Sequence, residues 1–232
     1  MTEIPKKKSN PVAKVRSITA SQQIYPQLRN RILSLELLPG QALSRLEVAN
    51  YYGVSQTPVR EAMKKLEDEG LLNVMPQHRT EVALINIAEA RQAHFLRLSI
   101  EVEIARQLAG SSSALDFKSQ HTLLLQASAA IEAKDMALFK SLDEQFHRSL
   151  YQLAGVEQLW HLVAERGGHI DRLRTLSLMD SQKGKAILAE HNQILKAIQA
   201  ANPMAAEAAT RQHLSGTLSQ VETLRKSFPD FF

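Results

Sequence analysis

A change in residue composition and apolar periodicity near Ile85 constrains the fold more than any other feature of the chain. Before it, three helix-sized segments are separated by turns that contain glycine, and two β-like runs follow at 71–75 and 81–85. After it, alanine, leucine, glutamine and glutamate dominate, and strand-like runs disappear. We therefore predict a mainly α protein in which three helices and a β-hairpin precede an all-α helical bundle.

The domain boundaries follow from this change and from the composition of the N-terminus. Residues 1–16 are polar and rich in lysine, which predicts a disordered basic arm. We assign 17–85 to the first folded domain and 86–232 to the helical one. Apolar periodicity in the second domain predicts six helices, at 87–109, 114–133, 135–153, 157–178, 183–201 and 203–226.

The absence of cysteine limits the kinds of covalent, metal and catalytic site that the chain can form. It excludes disulfides, thiolate zinc sites, iron–sulfur clusters and thiol catalysis, so a metal site must use histidine or carboxylate ligands. No apolar run approaches the ~18 residues that a membrane helix needs. The N-terminus is basic but has no apolar segment behind it, unlike a signal peptide. We therefore expect a cytoplasmic protein with no membrane partner.

The positive charge is concentrated in the first third of the chain. Residues 1–80 carry 12 Lys/Arg against 7 Asp/Glu, whereas 81–232 carry 16 against 17. The net charge is therefore +5 over residues 1–80 and −1 over residues 81–232, within a total of +4. This asymmetry is typical of a domain that faces nucleic acid joined to a neutral domain.

The segment 44–72 has the pattern of a helix, a tight turn at Gly53 and a second helix. Val59, Met63 and Leu66 form an apolar stripe on the second helix. Its opposite side carries polar residues suited to phosphates and base edges in a major groove, namely Gln56, Thr57, Arg60 and Lys64. An ordinary amphipathic helix with a solvated charged face is the alternative, but the turn, the following hairpin and the basic charge favour DNA binding.

Four residues of the helical domain have the types and spacing of a metal site. Asp143 and His147 are four residues apart, so they share one helix face. His191 and His213 lie in two further helical segments. One carboxylate and three imidazoles suit a divalent ion, zinc first, with nickel or manganese as alternatives. Spacing alone leaves open a surface pair or hydrogen-bonded core histidines.

The run VSQTPVREAMKKLEDEGLL resembles the recognition helix of the GntR family of bacterial transcription regulators. The resemblance implies a winged helix-turn-helix over about 15–85, with DNA contacts at Gln56, Thr57 and Arg60. It adds the tip of the wing, at Gln77, His78, Arg79 and Thr80. Two positions depart from the family pattern. Arg45 replaces an acidic residue and brings a cation near the DNA backbone, and Arg79 replaces a glycine.

The region 87–226 is similar to the all-helical FCD ligand-binding domain of the FadR-like branch of that family. The matching motifs are R-x-x-x-E at 97–101, D-x-x-F-H at 143–147, E-H-x-x-I at 190–194 and R-x-H-L at 211–214. In metal-binding members the ligands correspond to Asp143, His147, His191 and His213. Arg97 corresponds to the arginine that pairs with a carboxylate effector, although a salt bridge to Glu101 is its alternative partner. Arg172 and Arg174 are weaker candidates for the same role, and His161 and His169 are expected to be structural or at the surface.

These resemblances define the leading hypothesis, a homodimeric transcription regulator rather than an enzyme. Each protomer reads one half-site of double-stranded operator DNA, and a small organic or sugar acid bound at the metal and Arg97 relieves repression. A metal-dependent hydrolase that uses the same Asp/His site is the rival reading. A DNA-binding protein with a purely structural metal is the third.

Overall fold

A computed structural model describes residues 19–75, 79–178 and 181–232 and confirms a mainly helical protein. The predicted arm at 1–16 lies outside the described residues, as do Gln77 and His78. Within the described residues, the N-terminal part contains three helices and three strands: α1 (Ala20–Leu33), β1 (Ala42–Leu43), α2 (Arg45–Tyr52), α3 (Gln56–Asp68), β2 (Leu72–Val74) and β3 (Thr80–Val82).

The strands form one antiparallel sheet in the order β1-β3-β2. The predicted hairpin of β2 and β3 is present, with Asn73 opposite Glu81. Strand β1, which pairs Ala42 with Glu81 on the other side of β3, was missed because two residues leave no periodic pattern in a sequence.

The helix-turn-helix follows from local sequence. Gly53 ends α2 in the left-handed region, at φ 65°, where a side chain would be strained. In α3, Val59, Met63 and Leu66 are buried against α1, as the apolar stripe predicted. This packing leaves the opposite face of α3 on the surface.

The second part consists of eight helices within the described residues. They are α4 (Ile87–Gly110), α5 (Lys118–Glu132), α6 (Met136–Leu153), α7 (Glu157–Arg166), α8 (Gly168–Ser177), α9 (Ser181–Gln199), α10 (Pro203–Ser215) and α11 (Val221–Ser227). The helix predicted at 157–178 is two helices divided at Gly167. A Cβ on Gly168 would lie 2.7 Å from Leu71 Cδ2, so this glycine lets α8 approach the N-terminal part closely. The helix predicted at 203–226 also divides, after Ser215.

Helix α4 runs through the bundle and packs on α8, α9 and α10, while α5 packs on α6. The last residues return to the junction, where the Ile85 amide donates to the Phe231 carbonyl at 2.7 Å. Inside the described ranges, none of the helices combines the length and the apolar content required to cross a bilayer.

Candidate metal centre and DNA-binding surface

Helices α6, α9 and α10 bring the four predicted ligands together. Asp143, His147, His191 and His213 are all buried, and their ligand atoms lie within 4.8 Å of one another. The three imidazole Nε2 atoms are mutually separated by 3.1–3.2 Å. Two nitrogens bound to one zinc ion at about 2.1 Å lie about 3.0–3.4 Å apart, for angles at the ion between about 90° and 109°. The spacing therefore fits a single ion.

Carboxylates outside the ligand set orient two of the imidazoles. His147 Nδ1 lies 2.8 Å from Glu101 Oε2, and His213 Nδ1 lies 2.9 Å from Glu190 Oε2. These partners assign the proton of each ring to Nδ1, which leaves the lone pair on Nε2 pointing at the common centre. Three converging lone pairs repel one another unless a cation lies between them, so the residues fit a metal.

Burial keeps these imidazoles neutral, as ligation requires. It lowers the pKa of His191 to about 3 and that of His213 to about 4, and neighbouring positive groups add to the effect. Burial also takes the pKa of His147 well below its usual range, together with the charge of Arg97. All three rings therefore offer a lone pair near neutral pH.

Asp143 completes the set. Its Oδ1 lies 3.4 Å from His191 Nε2 and makes no hydrogen bond to any residue of the described ranges. Its Oδ2 accepts a hydrogen bond from Arg174. Burial raises the pKa of Asp143, but the Arg174 charge and the surrounding imidazoles outweigh burial and hold that pKa well below its ordinary value. The carboxylate is therefore ionised, with one oxygen available to a metal.

A cavity of about 140 Å³ adjoins this cluster and is lined by Arg97, Arg174, Glu190 and His213, among others. Arg97 is buried and its Nε donates to Glu101 Oε1 at 2.6 Å, so the expected salt bridge is present. Its Nη2 is buried and lacks a hydrogen-bond partner among the described residues. Burial lowers the pKa of Arg97, but the charges of Glu101 and Asp143 raise that pKa by more than burial lowers it. The guanidinium therefore stays charged. Arg97 thus keeps its charge and has one donor that the described residues leave unpaired.

Arg172 is not among the residues that line this cavity, so nothing in the structure supports the expectation that it binds an effector. The side chain is fully buried, and it donates to the carbonyls of Ala83 at 2.5 Å and Leu84 at 3.4 Å. It also lies 2.8 Å from Nδ1 of His169, which accepts from the Asn86 amide at 2.9 Å. Arg172 and the structural His169 therefore tie α8 to the junction between the two parts, whereas Arg174 faces the cavity.

The predicted DNA-contacting side chains on the helices are exposed, namely Arg45, Gln56, Thr57, Arg60 and Lys64. Lys64 forms ion pairs with Glu67 and Asp68, each at 3.0 Å. The N-cap residue of α3, Ser55, makes no side-chain capping bond, so the first amides of the helix remain open to a phosphate.

Two of the four predicted wing-tip residues, Arg79 and Thr80, lie within the described part of the chain. Arg79 is exposed and pairs with Glu81 at 2.7 Å. Thr80 lies within β3, opposite Leu43 and Val74, and its side chain is buried. The side chain of Thr80 is therefore not exposed in this structure, and the DNA contact expected at Thr80 stays a prediction.

Sequence reasoning missed two features of the site. Glu101 holds both Arg97 and His147, although it was considered only as the partner of Arg97. His94 also lines the cavity, and burial lowers its pKa. The signal for His94 was its position three residues before Arg97 on one helix face.

Known proteins resemble this chain over almost its full length. It is 34% identical over 222 residues to an uncharacterised HTH-type transcriptional regulator in an unstable DNA locus of Streptomyces ambofaciens, which covers 95% of this chain and 93% of that protein. It is also 34% identical over 212 residues to the HTH-type transcriptional repressor RspR of Escherichia coli, covering 91% and 93%. The solved structure of E. coli McbR/YncC shares the fold, with a TM-score of 0.76 at 17% identity over 91% of this chain and 100% of that one.

The fold and these relatives define a transcription regulator with a GntR-type DNA-binding domain. Residues 20–82 match the family described as bacterial regulatory proteins, gntR family, and 92–216 match the FCD domain. The chain therefore belongs to the GntR family and carries an FCD domain, which confirms the resemblance seen in its sequence.

Proposed function

We propose that this regulator is a repressor that binds operator DNA as a homodimer and is released by a small carboxylate bound beside a metal ion. One observation carries the proposal: the cluster of Asp143 and three neutral imidazoles adjoins a cavity that is lined in part by Arg97, a buried guanidinium with one donor unpaired among the described residues. The repressor name of the E. coli relative supports the direction of the response.

DNA binding is assigned to the exposed face of α3. Gln56, Thr57 and Arg60 suit base edges, while Arg45 and Lys64 suit phosphates. Two such helices, related by the twofold axis of a dimer, would read the half-sites of a palindrome. The domains would then be the arm at 1–16, the winged helix at 17–85 and the effector domain at 86–232.

Asp143, His147, His191 and His213 would hold the ion, with zinc first and nickel or manganese as alternatives. When bound, it supplies a Lewis-acidic position for an oxygen of the effector. Arg97 would donate to the carboxylate, because its guanidinium is charged, buried and held in place by Glu101. Arg174, which now pairs with Asp143, lies at the same cavity and would respond to a second anion there.

Helix α8 offers a route from the cavity to the DNA-binding part. It carries Arg174 at the cavity and Arg172 at the junction. Thr175, the residue after Arg174, donates to the carbonyl of Leu33 at the end of α1 at 2.8 Å. A carboxylate that draws Arg174 away from Asp143 would shift α8 and so change the contact between α8 and α1.

The test uses zinc-loaded protein and a duplex that the protein itself has selected from a randomised pool. We expect about one ion per chain by elemental analysis, tight operator binding, and release by at least one organic or sugar acid. His191→Ala should lose the ion and the acid response, whereas the exposed His161→Ala should lose neither. Ion content with no acid response would favour a structural metal, and turnover of esters that is lost in His191→Ala would favour the hydrolase.

A further inference from the structure

Residues 217–232 follow the stretch 92–216 that matches the FCD domain. They form the short turn Leu218–Gln220, helix α11 and the turn Pro229–Phe231, and they lead back to the boundary between the two parts of the molecule. We call residues 217–232 the strap. Because the strap lies outside the matched stretch, its role is inferred from its contacts.

The strap is packed into an apolar cluster that spans the boundary between the two parts. Within the described residues this is the one cluster with members from both, since the others lie wholly in the N-terminal part or wholly in the helical part. Leu35 and Ile85 belong to the N-terminal part, and α4 and α8 contribute further members. The strap supplies the buried Val221 and Leu224 and the partly buried Leu218, Phe228, Phe231 and Phe232. It therefore helps to bury the apolar contact between the two parts.

The linker, residues 83–86, joins β3 to α4 and so connects the two parts. Side chains of α8 bond the backbone of three of its four residues. The amide of the remaining residue, Ile85, donates to the Phe231 carbonyl of the strap at 2.7 Å. Ile85 is buried, and a buried amide rarely stays without a partner. The strap thus completes the bonding of a linker that cannot act as a free hinge while these bonds are made.

We propose that the strap holds each DNA-binding part at a fixed position on its helical part, and thereby sets the spacing of operator half-sites that the dimer accepts. A dimer reads half-sites whose separation matches its own geometry. Each base pair inserted between them moves one half-site by about 3.4 Å and rotates it by about 34–36°. A DNA-binding part fixed by the strap cannot follow that displacement, whereas one free to move on the linker can. The inference rests on the proposed function, because it requires a dimer on operator DNA.

Operator duplexes with altered spacing test the inference. Fluorescence anisotropy compares the selected duplex with one that carries two extra base pairs between the half-sites. The wild type should bind the longer duplex at least about tenfold more weakly. In a variant that combines Phe228→Ala with Phe231→Ala the ratio should fall below about threefold, because the two stacked rings no longer hold the strap on the cluster. Leu125→Ala, exposed on α5 and outside the cluster, should keep the wild-type ratio.

The outcomes separate the inference from the proposed function. If the double variant keeps the wild-type ratio, or if the wild type itself binds both duplexes equally, the inference is overturned and the proposed function stands. A wild-type protein that is monomeric on the duplex by analytical ultracentrifugation would overturn both. Phe231→Ala alone removes one partly buried ring and should give an intermediate ratio, which provides the test if the double variant folds poorly.

Hydrogen exchange of the Ile85 amide, followed by NMR, tests the strap without DNA. This amide should exchange at least about tenfold faster in the double variant than in the wild type, because its acceptor is no longer held in place. The Ala83 amide of the same linker donates to the Leu71 carbonyl within the N-terminal part, so its exchange rate should change little. Unchanged exchange at Ile85, or an equal acceleration at Ala83, would overturn the inference.

Discussion

His147 and His213 present their Nε2 atoms to each other at 3.1 Å, and a carboxylate holds the far nitrogen of each ring. This arrangement is unfavourable for two neutral imidazoles alone, because both lone pairs point into the same space. A divalent ion between them removes the conflict. The orienting carboxylates Glu101 and Glu190 are therefore as much a part of the candidate metal centre as the ligands are.

Glu101→Gln should weaken metal binding while leaving all four ligands in place. The amide no longer carries the charge that fixes the His147 tautomer, and loss of such an orienting group lowers metal affinity about 10–100-fold. Competition for zinc with a chromogenic chelator measures this change. Glu103→Gln, on the same helix but exposed, is the matched control and should bind zinc as the wild type does. Wild-type zinc affinity in Glu101→Gln would show that Glu101 does not orient the ligand.

Thr175→Val should uncouple the acid from the operator. The valine has nearly the same shape but cannot donate to the Leu33 carbonyl, a bond that contributes about 1 kcal/mol to the contact between α8 and α1. Acid binding should persist by calorimetry, whereas operator release should need a higher acid concentration. Thr122→Val, whose hydroxyl bonds only within α5, is the control. An unchanged release curve in Thr175→Val would argue against α8 as the route.

His169 makes the junction sensitive to acid. Burial and the Arg172 charge lower the pKa of His169 to about 4, whereas an unfolded histidine has a pKa of about 6.5. Between these values the unfolded chain binds more protons than the folded one, so the free energy of unfolding falls as the pH drops from about 6.5 towards 4. The backbone of Gly70 raises the pKa of His169, but burial and the Arg172 charge outweigh it.

His169→Gln isolates that contribution, because glutamine does not titrate and its carbonyl can still accept from the Asn86 amide. Urea unfolding at pH 7.5 and at pH 5 measures it. The wild type should lose more stability between the two pH values than the variant does, while the other histidines contribute equally to both. If the wild type and the variant lose equal stability between the two pH values, protonation of His169 does not destabilise the folded protein.

Arg60→Ala should weaken operator binding about tenfold or more, because Arg60 lies on the exposed face of α3. Fluorescence anisotropy with the selected duplex measures the affinity. Arg225→Ala, exposed on α11 in the other part of the chain, removes the same charge and should change operator affinity little. If both variants weaken binding equally, the effect is one of net charge and the assignment of α3 is wrong.

The elements could be predicted from the sequence where each has its own pattern. The stripe of Val59, Met63 and Leu66 placed α3, and the i, i+4 spacing of Asp143 and His147 placed both on one helix face. Their meeting with His191 and His213 depends on how α6, α9 and α10 pack, which spacing does not specify. Only the motif resemblance anticipated it.

The features that the sequence did not specify have a common physical cause, because each depends on a contact far away in sequence. Arg172 and Arg174 are two positions apart on α8, so they point in different directions, and tertiary packing decides which of them meets the cavity. Thr80 is buried because β1 pairs with β3, and a two-residue strand has no sequence signal. Gly168 begins a new helix because Leu71 packs against it across the junction.

The central claim is that an acid at Arg97 controls the operator, and acid-induced release of the labelled duplex from zinc-loaded Arg97→Met protein tests it most directly. The methionine fills similar space but cannot bind a carboxylate. We predict that zinc content and acid-free operator affinity stay near the wild-type values, while the acid that releases the wild type no longer releases the variant. Release of Arg97→Met at the same acid concentration as the wild type would contradict the account.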